Sequence, residues 1–272
     1  MIQPAFLRRA GTEVARSVYL WRTLVAQELK VRYRGTFLGS AWQLLSPLFL
    51  LAIYGFVFGV VFGARWPGFD ESDRLMFALN LFLGLSVHGV LAETLGLAPT
   101  TMQRNSNFVR KVVFPLPVLV AVPLGVALIN ALSGIFIVFV VAGLFGKGWS
   151  VSLWQVLPVF AALGVMVYGL ALLLAAFGVF VRDLGQVMGM VVTAILFTSP
   201  VFYPVDMAPQ ALRGIIQLNP LTVPVEHMRA AVLLHHAPDW SALGIYAGVA
   251  LLVLALGWAS FQRLRLGFAD AL

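Results

Sequence analysis

The 272-residue sequence contains no cysteine, which excludes a disulfide framework, a thiol nucleophile and iron–sulfur ligation together. Charge is also scarce: 11% of residues are Asp, Glu, Lys or Arg, where a soluble domain carries roughly 25%. No GxxxxGK[ST] segment occurs, so the phosphate cradle of the P-loop ATPases is missing and ATP hydrolysis by that route is excluded. There is no heptad pattern, low-complexity tract or strong internal repeat. Nor does the N-terminus read as a cleavable signal, because Arg8, Arg9 and Arg16 interrupt any apolar stretch there.

What is present is apolar. Hydrophobic residues make up 61% of the chain, and the mean hydropathy is +0.94. Such runs extend from one end to the other, which predicts an all-α membrane protein with one transmembrane domain over residues 37–272. Residues 1–36 form a basic segment before it. From Val18 to Val31 its apolar positions recur at three- and four-residue steps, as on an amphipathic interface helix with Trp21 at headgroup depth. The formal charge of +7 lies beside apolar spans, where anionic headgroups are a nearer partner than nucleic acid.

The chain turns on Gln27 to Phe62, where Lys30, Arg32 and Arg34 give way to an apolar run. Residues 41–62 reach ~33 Å as a helix, enough for a bilayer core of ~30 Å. Further spans are expected at about 75–97, 116–145, 156–181, 184–202 and 241–261. The connecting segments 63–74 and GKGWS (146–150) read as outer loops. The basic segment 99–114 and the Arg182–Asp183 turn read as inner ones. Of the 18 Lys and Arg residues, 13 fall on the inner segments and five on the outer ones, which puts both termini in the cytoplasm. Residues 198–240 are broken by six prolines, so short helices there are expected to dip back into the outer side of the membrane.

Ionisable groups are few enough to weigh singly. Glu93, near the inner end of the second span, reads either as a gating contact or as a structural pair with a neighbouring Arg. Asn130 is the notable polar group of the third span. His235 and His236 are adjacent and cannot point together from one helix face, so with only His227 nearby no metal site is expected. Asp206, Glu226 and Asp239 keep an extracytoplasmic enzyme open, but read better as helix caps and rim charges, and no catalytic set is assigned.

Four stretches together carry a resemblance: ELKVRYRGTFLGSAWQLLSPL from Glu28, NSNFVRKVVFPLPVL from Asn105, RDLGQVMGMVVTAILFTSPVFYPVDMAP from Arg182 and NPLTVPVEHMRAAVL from Asn219. In this order they resemble the ABC-2 type permeases of polysaccharide export, the transmembrane subunits of O-antigen and teichoic acid ABC exporters. The resemblance implies a homodimer in the bacterial inner membrane around a path for a lipid-linked glycan. Each copy would sit on a separate ATP-binding subunit, which holds the ATP and Mg; the chain itself needs no cofactor. An ABC-2 permease for capsule polysaccharide, or for a small lipid or drug, shares the same plan.

Residue chemistry then suggests where the work is done. Arg104, Asn105, Asn107, Phe108, Arg110 and Lys111 suit a protruding element that docks into an ATPase cleft, or else an ordinary positive-inside loop. Lys30, Arg32 and Arg34 lie at the depth of a lipid-diphosphate headgroup, which guanidinium binds through parallel hydrogen bonds; topology alone also accounts for them. Sugar rings stack on aromatic faces, so Trp42, Phe49, Tyr54 and Phe58, with Phe197, Phe202 and Tyr203, are candidates for the glycan path. Taken singly, each is equally a core or lipid-facing side chain.

Overall fold

The computed structural model describes residues 4–63, 66, 74–111, 114–145, 154–234 and 239–272, with no side-chain description at 4–12, 74, 110 and 111. All regular elements among the described residues are helical. A long helix α1 (Pro4–Arg32) leads into α2 (Gly39–Val61) through a turn in which Gly35 and Gly39 take φ of +79° and +52°, a conformation that glycine adopts without strain. Next come α3 (Leu75–Arg104), the short α4 (Ser106–Lys111), α5 (Leu116–Leu144) and α6 (Val156–Gly178). The chain continues through α7 (Leu184–Phe197), α8 (Gln210–Leu218), α9 (Thr222–Arg229) and α10 (Trp240–Ala271). The expected outer loops 63–74 and 146–150, and His235 and His236, fall outside the described residues save Gly63, Trp66 and the backbone of Arg74.

Five of these helices, α2, α3, α5, α6 and α10, are long and apolar enough to cross a bilayer. Their burial is unequal, and the difference defines the architecture. Two-thirds of the most apolar window of α3, and of α6, is buried inside the chain (67% each), against 11% for α2 and 22% for α10. The core therefore gathers on α3, α5 and α6, while α2 and α10 present apolar faces outward. Small residues permit the closest approach: a β-carbon on Gly169 of α6 would lie 2.6 Å from the Leu254 amide nitrogen of α10. Gly257 of α10 meets the Gly169 carbonyl in the same way. Backbones this close gain dispersion contacts, which lipid cannot replace by a hydrophobic driving force.

Helix α7 is shorter than the expected span 184–202. Its 14 residues reach only ~21 Å, and the chain from Thr198 to Tyr203 is non-helical. Pro200 explains the break, since it has no N–H to donate and disfavours helix in the residue before it. Backbone freed in an apolar setting must find protein partners, and two side chains supply them. Arg229, at the end of α9, donates from Nη1 to the Pro200 carbonyl at 2.6 Å and from Nη2 to the Val201 carbonyl at 2.7 Å. The same guanidinium reaches the Asn80 carbonyl of α3 and lies 4.3 Å from the centroid of the Trp66 ring. Asn219 Nδ2 donates to the Ile195 carbonyl and to Thr198 Oγ1, both at 2.9 Å, while its Oδ1 accepts from the Leu221 amide.

Of the three acids expected to be caps or rim charges, Asp239 behaves as a cap, while Asp206 and Glu226 lie within helical turns that have no side-chain cap. Asp239 precedes α10 and accepts from the Ser241 and Ala242 amides at 2.9 and 3.2 Å. The Ser241 hydroxyl and these amides hold its carboxyl below the usual carboxylate range.

Arg229 is 4% exposed, so the carbonyls it serves have no ready access to solvent. Arg229→Met keeps much of the volume but strands them, at about 1–3 kcal/mol for each buried group left unpaired. A melting temperature lowered by several degrees in detergent is expected, with Arg229→Lys falling between because an ammonium lacks the planar fork. An unchanged melting temperature in Arg229→Met would show that Arg229 does not secure the break.

Candidate functional site

The basic residues converge at the opposite end from Arg229. Helix α1 packs along α5 in step with it: the Trp21 indole donates from Nε1 to the Ala121 carbonyl at 2.8 Å. One turn on, Val25 and Trp21 crowd Gly125 so closely that a β-carbon there would lie 2.6 Å from Val25 Cγ2. The polar edge of Trp21 is thus turned toward α5. This docking carries Arg32, the last residue of α1, to Glu93 on α3.

Arg32 Nη2 donates to Glu93 Oε1, and Asn130 Nδ2 of α5 donates to Glu93 Oε2 at 3.2 Å. Three helices meet through one carboxylate. Among the described residues this is the one salt bridge, and it is only partly covered: the side chains are 36% and 24% exposed. Lys30 and Arg34 are exposed, with Lys30 at the edge of a shallow hollow formed with Tyr33 and Gln43.

Two crevices share this ion pair as a wall. One, of about 390 Å³, lies between α1, the end of α3 and α5, and is lined by Gln27, Arg32, Glu93, Arg104, Asn105 and Phe108. The other, of about 430 Å³, runs under α2 and is lined by Arg32, Gln43, Tyr54, Ser86, Glu93 and Asn130. Arg32, proposed from sequence for headgroup binding, therefore shares a cavity with three residues proposed for coupling.

Those coupling residues divide by role. Asn105 closes α3, donating from Nδ2 to the Thr101 carbonyl at 2.9 Å, and its own carbonyl accepts from the Phe108 amide. It shapes the turn. Arg104, Asn107 and Phe108 are exposed, and the Phe108 ring packs on Phe114 at 5.1 Å between centroids. The side chains of Arg110 and Lys111 fall outside the described residues.

The aromatic candidates separate into two groups. Trp42 and Phe49 lie on the outward face of α2, Phe49 with 65% of its surface exposed. Tyr54 and Phe58 turn inward instead, Phe58 packing on Phe77 of α3 at 5.8 Å. Beyond the end of α7, Phe197 and Phe202 stack at 5.4 Å, and the Tyr203 hydroxyl donates to the Phe197 carbonyl at 3.0 Å. Ring contacts join members within each group, and α3 packs against both α2 and α7.

Arg229 and the Glu93–Asn130 contact are what sequence reasoning missed. A lone Arg inside TVPVEHMRAAVLL was the available signal for the first. For the second, the second and third spans each carried a polar group, but nothing in their spacing paired them. Among the described residues no cluster of three or more potential metal ligands occurs.

Among the described residues, a helical bundle with five bilayer-length helices and a shorter sixth apolar helix defines a multi-pass membrane protein. The chain belongs to the ABC-2 type transporter family, which it matches over residues 19–233. It is 27% identical over 267 residues to the O-antigen export system permease protein RfbA of Myxococcus xanthus, covering 95% of this chain and 99% of that one. It is also 24% identical over 261 residues to a protein of the same description from Klebsiella pneumoniae, covering 93% and 96%.

If the α1–α3–α5 contact holds the basic end together, Arg32→Ala, Glu93→Ala and the double variant should form a non-additive cycle in thermal unfolding. A coupling on the order of 1 kcal/mol is expected for a pair this exposed. Strict additivity would remove the pair from the stability of the bundle.

Proposed function

We propose that this chain is the transmembrane permease of an ABC exporter that carries a lipid-linked polysaccharide of the O-antigen class across the inner membrane. The observation that supports this most is likeness to O-antigen export permeases over 93–95% of the chain, end to end rather than at one motif. ATP would be hydrolysed, with Mg, on a separate ATP-binding subunit seated against the basic end. The exposed Arg104, Asn107 and Phe108 give that subunit something to grip.

In this reading the chain crosses six times, with α7 and the segment after it as the fifth crossing and α8 and α9 re-entrant from the outer side. Both termini lie in the cytoplasm, a placement that the Lys and Arg distribution supports. Two copies pair through apolar faces that one copy leaves open. The low burial of α2 supports this, as does the outward placement of Trp42, Phe49 and Phe197. A pair would bring together aromatic groups that one chain keeps apart, and so build a stacking path for sugar rings. Arg32, with Lys30 and Arg34 beside it, would meet the diphosphate of the lipid carrier at the inner surface.

Coupling is the part of this reading most open to direct test. Replacing Phe108 and Arg110 together by Ala should leave membrane insertion and dimer formation intact while ATP hydrolysis no longer drives export. Normal export by that double variant would refute the placement of the ATPase contact.

A further inference from the structure

Arg32 is already occupied. Its Nη2 binds a carboxylate, a planar anion that offers a guanidinium two oxygens much as a phosphate does, and Glu93 spends its second oxygen on Asn130. Arg32 and Glu93 nevertheless remain 36% and 24% exposed on their side chains, and only Nη2 of the guanidinium is committed to the acid. The pair stands between the crevice on the coupling-turn side and the crevice beneath α2, and lines both.

We propose that Glu93 is an internal stand-in for the headgroup phosphate, so that Glu93 sets how strongly an anion must bind to gain Arg32 and keeps the two crevices apart until one does. The inference rests on the reading above that the substrate is an anionic lipid-linked glycan, and names what guards that site. An incoming headgroup must outcompete the Glu93 carboxylate, in a crevice that also holds Glu28 and Arg104. A diphosphate brings more charge and more acceptor oxygens to the guanidinium than a monophosphate and so is the stronger competitor, while the cost of displacing the carboxylate lowers the affinity of every headgroup by the same factor. Displaced Glu93 is not stranded. Its link to Asn130 lies on the α2 side, in a crevice that also offers Ser86 and Gln43 as polar neighbours. Breaking the bridge therefore joins the two crevices, and headgroup capture would open the way beneath the first span.

The test uses the complete permease with its ATP-binding subunit in phosphatidylcholine nanodiscs, titrated with fluorescent farnesyl diphosphate and farnesyl monophosphate. Glu93→Gln should bind both probes about three- to fivefold more tightly. Arg32→Gln should weaken both. Glu93→Asp keeps the charge but draws it back by one methylene, so it should move both affinities in the direction of Glu93→Gln by less; it serves if Glu93→Gln fails to fold. Unchanged or weaker binding by folded Glu93 variants, with Arg32→Gln still impaired, would make Glu93 a structural partner only and overturn the inference while leaving Arg32 as a phosphate ligand. If Arg32→Gln also binds both probes normally, the headgroup reading itself fails.

Discussion

In the hydrocarbon core no water is available to an exposed backbone group, and most of this structure follows from that constraint. At several of the described breaks, a side chain from another element accepts the obligation. Arg229 and Asn219 close the gap after α7. The Tyr168 hydroxyl of α6 donates to the Pro117 carbonyl in the first turn of α5, and the Tyr246 hydroxyl of α10 to the Pro220 carbonyl before α9. Each of these donors comes from far along the chain, so these local irregularities become tertiary ties. The prolines that spoil helices here thus also specify which elements meet.

The same economy governs charge. Most of the chain's cations fall on the segments of one end, and one acid there, Glu93, is held through α1 and α5 at once. An ion pair buried in full would contribute little net stability, because desolvation offsets the attraction. Left partly open, the Arg32–Glu93 pair both joins three helices and remains accessible to a stronger anion. In the proposed reading, stability and recognition are set by the same two side chains, beside the turn on which an ATPase would act.

Hydropathy made the long spans legible. Residues expected at 116–145 form a helix over Leu116–Leu144, and those at 156–181 over Val156–Gly178, because a run of uncharged residues bounded by breakers has few other solutions in a membrane. The second span continues past its expected end at 97 to Arg104, since Ala98–Thr100 tighten into a 3-10 turn around Pro99 rather than ending the helix. The fifth stops short of 202 for the reason that hydropathy ignores: Pro200 ends it, and a guanidinium from residue 229 makes the ending tolerable. Likewise Glu93 could be read as needing a cation, but sequence spacing cannot select Arg32, 61 positions earlier, over its neighbours. Partners across such separations are fixed by packing, here the approach of Trp21 and Val25 to Gly125.

A motorless membrane bundle that works only when an ATPase grips its basic end is the claim on which the functional account stands. The direct measurement is ATP hydrolysis by the permease co-purified with its candidate ATP-binding subunit and reconstituted in lipid, with and without a lipid-linked O-antigen glycan. A stable complex whose hydrolysis rises on adding the glycan is the expected result. Failure of the two subunits to associate, or hydrolysis indifferent to the glycan, would contradict it.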